Sequence, residues 1–460
     1  MRVSIYGVLA IICSLSSTWA STLQQALTNT YNSNPEFKEK QEAIKGEHEK
    51  IVQALAGWRP TINLIGNMTL GKQINSGNNK DNPNTSTPSD KASNTKEGGI
   101  ELRQNLFAGG STLAQTRGAE NMIRLAWANL HSSEQSILLN AIQAFLELVS
   151  KYIQVDLHKA NKEALSKNLE DAQEKLRVGE ETRTQLANAQ ANFADADAKL
   201  QKVTAELEGA KATYEKVTGL KAPLELAKPI PFQNVPKTME ECLEIAEVES
   251  PDIIAAQFEH LAAQADVDKA TSGLLPNVDF VASSTRQESR TDTNYLGKPN
   301  PGSKDYVTNN QIMVQAKVPL YEGGAIRSQR RQALEVTSQK RIAIDKIRRQ
   351  IKEQVRQAWQ NYKTAKNNIE NYQKQVEAAQ ISLDGTTQEM NVGSKVLLDV
   401  LNARRALLEA QLALVEASKS YCLESYRLLA VIGRLTAKNL KLEVDYFDPQ
   451  SHYQQVRDYL

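Results

Sequence analysis

The chain carries the same series of sequence markers twice, and this duplication constrains its fold most strongly. Pro60 and Pro276 each follow a helical pattern and are 216 residues apart. The Val-Gly pairs at 178–179 and 392–393 each end a long helical pattern and are 214 residues apart. A repeat that keeps its spacing over so long a stretch is a duplicated structural unit. Such units usually build symmetric surfaces, tubes or rings rather than one catalytic cleft.

The composition excludes several functions and indicates export of the chain. The 55 basic and 54 acidic residues give a net charge of +1, which argues against nucleic acid as a partner. Residues 1–20 have a basic start, a short apolar run and small residues before a cut after Ala20, so they predict a signal peptide. The alternative, a membrane anchor helix, requires a longer apolar run. Ile12 before Cys13 argues against a lipid anchor.

The chemistry-bearing residues favour a protein that is not an enzyme. The five histidines are scattered, so we expect no metal site, and no phosphate-binding loop or nucleophile motif predicts a cofactor or catalysis. Two cysteines remain after cleavage, Cys242 and Cys422. A disulfide and two buried thiols are both compatible with an exported chain, and the second is the preferred expectation.

Each half contains the same predicted elements in the same order. The boundaries of these predicted segments are as follows: a first repeat over 21–219, with a hairpin at 61–107, a long helix at 111–177 and a return helix at 180–218; a linker at 220–237; a second repeat over 238–433, with a hairpin at 277–320, a long helix at 325–391 and a return helix at 394–432; and a C-terminal segment at 434–460. The opening helices are expected over 22–56 and 238–271 as single elements.

The hairpins show apolar–polar alternation, which is typical of strands. In the first half Ile62 and Leu64 alternate with polar residues, and Val314 and Ala316 do so in the second. We expect strands of about ten residues, which suits a tilted crossing of a bilayer. The polar stretches 75–97 and 289–310 are expected to be long outer loops. The alternative is that the apolar faces pack on a soluble core.

The helices are too long for a compact domain. Each long helix has 67 residues, which corresponds to roughly 100 Å. Apolar residues at three- and four-residue spacing predict coiled-coil packing beside the shorter helices. Four strands per chain cannot close a barrel with a lumen, and open strand edges are not tolerated in lipid, so several chains must share one barrel. Two copies would give a filled barrel and three a channel.

With these elements in this order, the chain resembles the TolC family of outer-membrane channel proteins. The repeated proline after the first helix, the Gly-Gly pairs at 109–110 and 323–324, and the Val-Gly turns follow its pattern twice in order. The resemblance implies an α+β membrane protein built from two internal structural repeats. It implies a trimeric TolC-like channel with four β-strands per chain in a shared twelve-stranded outer-membrane β-barrel, continued by a long α-helical coiled-coil barrel in the periplasm of a Gram-negative bacterium.

The resemblance also implies the function and the partners. The family provides the exit duct of a tripartite export system, with a periplasmic membrane-fusion adaptor, an inner-membrane ABC or proton-driven transporter, and outer-membrane lipid around the barrel. The first turn, 178–184, and the segment 444–453 are similar to the type I protein secretion branch. Efflux of drugs or other small molecules is the alternative cargo class. A structural coiled-coil protein of the periplasm is the alternative of a different class.

The family's functional positions can be carried over onto this sequence. The expected positions are the channel constriction, at Asp399, Asn402 and Gln185; the links that close the entrance, at Lys395, Thr184 and Met390; and the adaptor-contact tips, at Val178, Gly179, Val392 and Gly393. Three copies of Asp399 would form a carboxylate ring that favours cations. The alternative is a solvated carboxylate on a helix face.

Three of these positions depart from the family's pattern. Asn402 replaces an aspartate, which predicts a weaker ring. Met390 and Gln185 replace a tyrosine and an aspartate, and a methionine cannot donate the hydrogen bond of that link. The loss of this link predicts either a leakier resting state of the channel or other closing contacts.

Overall fold

A computed structural model describes residues 22–75, 89–180, 182–223, 226–227, 230–295 and 298–458. The predicted signal peptide, 1–20, lies outside these residues. The helices are α1 Leu23–Ser33, α2 Pro35–Leu55, α3 Ser111–Arg177, α4 Arg183–Thr218, α5 Met239–Glu249, α6 Pro251–Ser272, α7 Ala325–Asn391, α8 Leu397–Val431 and α9 Pro449–Asp458. The strands are β1 Thr61–Asn75, β2 Ser89–Ala108, β3 Asn277–Tyr295, β4 Lys298–Asn300 and β5 Lys304–Lys317.

The chain divides into two compact units that each combine both repeats. Of the described residues, the first unit contains those within 1–42, 128–254 and 346–447, and the second contains those within 43–127, 255–345 and 448–460. The sheet and α9 belong to the second unit. Both Val-Gly turns, α4, α5 and α8 belong to the first unit.

The sheet of the second unit is antiparallel and has one apolar face. Its order is β1-β2-β3, with β5 and the short β4 both paired to β3. The register places Ile62 opposite Leu102, and Leu102 opposite Ala282. Because directly opposed residues point to the same face of a sheet, the apolar side chains form a band across the strands. The other face is polar, and there the Asn105 amide donates to the Asp279 carboxylate at 2.9 Å.

The strands correct the sequence prediction in length. β1, β2, β3 and β5 have 15, 20, 19 and 14 residues rather than about ten. Residues 89–97 and most of 289–310 were expected to be loop, and they lie in strands instead. β4 is a fifth, short strand that the sequence did not predict. The polar composition of these stretches has a low strand propensity, but pairing to a neighbouring strand on at least one side overrides it.

Both opening helices are interrupted, which also differs from the prediction. α1 ends before Asn34 and α2 starts at Pro35, while α5 ends before Ser250 and α6 starts at Pro251. Asn34 and Ser250 adopt the same extended conformation, with φ −63° and ψ 121°. The ring of a proline disfavours a helical conformation in the preceding residue, so each helix stops there and a new one begins.

The core of the first unit is centred on the middle of α3. Leu138, Ile142 and Phe145 are fully buried there, as are Leu428 and Ile432 on the α8 side. One window of α3 is long and apolar enough to cross a membrane by length and composition alone, but 56% of it is buried inside the chain. Packing against the rest of the chain accounts for its apolar character.

Candidate functional site

The two Val-Gly turns have the same backbone geometry. Gly179 has φ +83° and Gly393 has φ +78°. After α3, Gly179 N–H donates to the Leu176 carbonyl at 3.1 Å, and Glu180 N–H donates to the Lys175 carbonyl at 2.9 Å. After α7 the corresponding pair of hydrogen bonds is present at 2.9 Å each. This double hydrogen bond closes a helix through a left-handed residue, and glycine adopts that conformation without strain from a side chain.

The tips of both turns are open. Val178 is 64% exposed and Val392 is 80% exposed. A methyl group added at Gly179 or Gly393 would meet no atom within 4 Å. Apolar side chains held out on a rigid turn are available for contact with another protein.

The next helices start with matched caps. Thr182 caps α4, since its hydroxyl accepts from Gln185 N–H at 3.2 Å while the Gln185 side chain accepts from Thr182 N–H at 3.1 Å. In α8 the carboxylate of Asp399 accepts from Val396 N–H at 3.2 Å. Gln185 and Asp399 therefore occupy the same position, the third residue of the helix. Only Asp399, in the second repeat, is charged, and a negative charge is favourable at a helix N-terminus.

The other expected residues of the entrance lie around these caps. Lys395, Thr184 and Asn402 are exposed. Met390 is partly buried and packs against the cluster of Leu383, Val400 and Leu407 that joins α7 to α8. Its position in this cluster identifies Met390 as a packing residue of the chain, which is what a methionine in place of a hydrogen-bond donor favours.

The start of α8 packs against α3 and α4. Leu401 packs with Leu165 of α3 and Ala196 of α4, and Leu397 packs against the same cluster. Asp399 lies between these two anchored leucines. The packing of α8 against α3 and α4 therefore sets the position of the Asp399 carboxylate. Its side chain is only partly exposed.

A second candidate surface is the apolar face of the sheet. Leu64 is 86% exposed on β1 and Ile312 is 79% exposed on β5. Ile62, Met68 and Leu70 on β1 and Val314 on β5 are exposed on the same face. A soluble monomer rarely exposes so much contiguous apolar surface, so this face requires lipid or protein against it.

Comparison with known proteins identifies the family. The profile of the family described as outer membrane efflux protein matches residues 23–220 and 242–434, once in each half of the chain. The chain belongs to this family.

Three relatives of this outer membrane efflux protein are informative. The outer membrane efflux protein BepC of Brucella suis is 30% identical over 439 residues, which cover 95% of this chain and 91% of BepC. The outer membrane protein TolC of Escherichia coli is 25% identical over 448 residues, covering 94% and 87%. The alkaline protease secretion protein AprF of Pseudomonas aeruginosa is 24% identical over 350 residues, covering 75% and 70%.

Solved structures show the same fold. The outer membrane channel CmeC of Campylobacter jejuni superposes with a TM-score of 0.74 at 15% identity, covering 95% of this chain and 89% of CmeC. The predicted family, the TolC-like fold class and the location in the outer membrane with an extension into the periplasm are thereby confirmed. The membership excludes the rival interpretation as a structural coiled-coil protein.

Cys242 and Cys422 are both buried and form no disulfide, and burial raises the pKa of each thiol to about 11. Among the described residues, no cluster of three or more histidine, cysteine or acidic side chains is placed to hold a metal ion.

Arg404 on α8 was not among the residues expected to be functional. Its half-buried guanidinium Nε has no hydrogen-bond partner among the described residues. Burial lowers the pKa of Arg404. An arginine at three- and four-residue spacing with the leucines of α8 was the available signal, because burial of a charged group is costly.

Proposed function

We propose that three copies of this chain form the outer-membrane exit duct of a tripartite export system. The duct conducts cargo passively from an inner-membrane transporter and a periplasmic adaptor to the exterior. The observation that supports this most directly is the sheet, which combines an exposed apolar face with two open edges.

The open edges argue for several copies. β1 pairs only with β2, and β5 pairs only with β3, so each has one unpaired side among the described strands. β5 is exposed along its whole length. Unpaired backbone groups are not tolerated in a hydrocarbon layer, so an edge of this kind must pair with another copy. Four long strands from each of three copies give a twelve-stranded barrel with room for a lumen.

The assembly is tested by the mass of the protein extracted in mild detergent. We expect a single species of three chains that migrates as a trimer unless it is heated. A species of one or two chains would contradict the proposal. The lipid assignment of the apolar face is tested by two adjacent substitutions in β1, Leu64→Arg on the apolar face and Asn63→Arg on the polar face.

Leu64→Arg should make folding into the membrane less favourable by about 2 to 4 kcal/mol if Leu64 lies near the bilayer midplane, and by less near the interface. Asn63→Arg should change it little, because residue 63 points to the opposite face. Yield of heat-resistant trimer in outer-membrane fractions is the measurement. Equal losses in both variants would contradict the assignment of the faces.

The proposed cargo is protein, by a type I secretion route. The first turn and the C-terminal segment support this, and the relative AprF is named as an alkaline protease secretion protein. Efflux of small molecules is the second candidate, and it is favoured by BepC, which matches more of the chain at higher identity.

A deletion strain separates the two cargo classes. Loss of a secreted protein from the medium with unchanged accumulation of a fluorescent dye would support secretion. The reverse result would support efflux. Co-purification adds a second arm, since an ATP-driven transporter is expected for secretion and a proton-driven drug transporter would overturn that preference.

The entrance residues complete the proposal. Asp399 from three copies forms the constriction with Asn402 and Gln185 nearby, Lys395 and Thr184 link neighbouring copies, and the tips at 178–179 and 392–393 contact the adaptor. The exposed tips and the fixed position of Asp399 support these assignments. Because Met390 packs within its own chain, it is not proposed as a closing link.

A further inference from the structure

A buried histidine network fastens the C-terminal helix in the second unit. His48 on α2 is 0% exposed. It contacts Trp127 on α3, and His452 and Tyr453 on α9. All four residues lie outside the strands. The hydrogen bonds of this network hold α9, and they depend on the protonation state of the two imidazoles.

The hydrogen bonds determine the tautomer of His48. The Trp127 indole N–H donates to His48 Nε2 at 2.9 Å, so Nε2 carries no proton. A neutral His48 must then carry its proton on Nδ1. The Nδ1 atoms of His48 and His452 are 2.9 Å apart, so the His48 Nδ1–H donates to His452 Nδ1. Both nitrogens of His48 and one nitrogen of His452 are therefore committed.

Neither imidazole can take up a proton without breaking this arrangement. A proton on His48 Nε2 opposes the indole N–H of Trp127. A proton on His452 Nδ1 opposes the Nδ1–H of His48. In either case two donors face each other, and one positive charge lies against a buried ring. The neutral pair is thus the only state in which both hydrogen bonds exist.

Among the described residues, no carboxylate is hydrogen-bonded to His48 or His452. Glu120 and Arg124 of α3 and Arg457 of α9 act on Tyr453. On α2, Glu47 is paired with Lys50 at 2.6 Å. Burial, with a smaller effect of His452, lowers the pKa of His48 to about 4.

We infer that α9 is released from α2 and α3 on acidification, so that the histidine pair acts as a pH-sensitive latch on the C-terminal helix. The docked state of α9 binds fewer protons than the released state, because a free histidine titrates near 6.5. Docking is therefore complete at neutral pH. It weakens as the pH falls from about 6.5 toward the lower value in the docked state.

Hydrogen exchange of the full chain in its detergent-solubilised assembly tests the latch. Protection factors of the α9 peptide, corrected for the intrinsic pH dependence of exchange, are compared at pH 7.5 and pH 5. We expect a loss of about tenfold or more in the wild type at pH 5. Equal protection at the two pH values overturns the inference without any variant.

Substitutions assign the loss to the pair. Asparagine places a non-titrating polar atom near the position of Nδ1, so His452→Asn should show a smaller loss than the wild type. The double variant with His48→Asn should show no loss of α9 protection at pH 5. If this double variant does not dock α9 at pH 7.5, the result of the single variant tests the inference. His131→Asn, on the exposed surface of α3, is the control and should keep the wild-type loss. A wild-type loss in His452→Asn overturns the inference.

Discussion

The long helices α3 and α7 have the same length and the same place in their repeats, but their surfaces differ. Both have 67 residues. On α3 the positions of one face in the first unit are Glu134, Gln135, Leu138, Ile142, Val149 and Tyr152, and all but the partly buried Tyr152 are buried. The positions 214 residues later on α7 are Arg348, Arg349, Lys352, Arg356, Lys363 and Lys366, and all but the partly exposed Arg348 are exposed.

The covering segments explain the difference. Within the first unit the Ala437 N–H donates to the buried Glu134 carboxylate at 2.8 Å. The Tyr152 hydroxyl donates to the Pro223 carbonyl at 3.0 Å. Both the linker and the C-terminal segment thus lie on α3. On the equivalent α7 face, Glu247 of α5 pairs with Arg348 at 2.8 Å and lies 3.7 Å from Lys352. The other cations of this face are open to solvent or to another copy, where cations are stable. Duplication has kept the backbone and has changed which face is covered.

The largest effect is expected at one pair of equivalent positions on α3 and α7. Ile142→Ala should lower the stability of the chain by about 2 to 5 kcal/mol, because it leaves a cavity beside α3. Arg356→Ala, at the equivalent position of α7, should change it by less than about 0.5 kcal/mol. Denaturant unfolding followed by helical circular dichroism measures both. Similar losses would show that the α7 face is as closely packed as that of α3.

The two turns provide the second test. Gly179→Ala and Gly393→Ala should each cost about 1 kcal/mol, since both glycines have a positive φ and free space around the added methyl. Equal stability costs are expected from the matched geometry. If the tips contact an adaptor, export should fall further than stability accounts for. Full export with a bulky residue at 393 would count against the contact.

The ends of the two return helices, α4 and α8, differ in charge. Arg434, after α8, donates to Glu249 through two hydrogen bonds of 2.8 and 2.6 Å. After α4, the Ser33 hydroxyl donates to the Thr218 carbonyl at 3.1 Å instead. Both partners of the ion pair are partly exposed, so Glu249→Gln should cost no more than about 1 kcal/mol. Ser33→Ala is the matched control.

The ion pair also makes a prediction for pH. Hydrogen bonds from Arg434 lower the pKa of Glu249 below its usual value of 4.5. Its contribution is therefore complete above about pH 4.5 and is lost as the pH falls through the lowered value. Unfolding midpoints of the wild type and of Glu249→Gln should converge in that acidic range. A constant difference down to pH 3 would contradict the assignment.

The smallest effect on stability separates the two capping residues. Asp399→Asn keeps an oxygen for the Val396 N–H and removes the charge, so it should cost only a few tenths of a kcal/mol. It should weaken block of single-channel current by multivalent cations. Gln185→Glu introduces the missing charge into the first turn and should strengthen that block. Unchanged block in both variants would contradict the constriction assignment.

Much of the candidate site follows from local sequence signals. A glycine after a helical pattern predicts a left-handed end, and the Val-Gly pairs at 178–179 and 392–393 have that geometry. The role of Asp399 as a cap was missed, because the helix starts at Leu397 and not at the expected residue 394, which makes Asp399 its third residue. The packing of Met390 needed the structure, because it depends on which neighbours α7 and α8 bring together.

The sequence by itself determined the duplication, the helical and alternating segments and the glycine turns, since these depend on residues that are near each other in the chain. The tertiary structure decided the strand ends, where pairing overrode the polar composition of 89–97. It also decided that α3 is covered while α7 is exposed, and that His48 meets His452 across 404 residues. Contacts between distant segments carry no periodic signal, so only the folded chain can specify them.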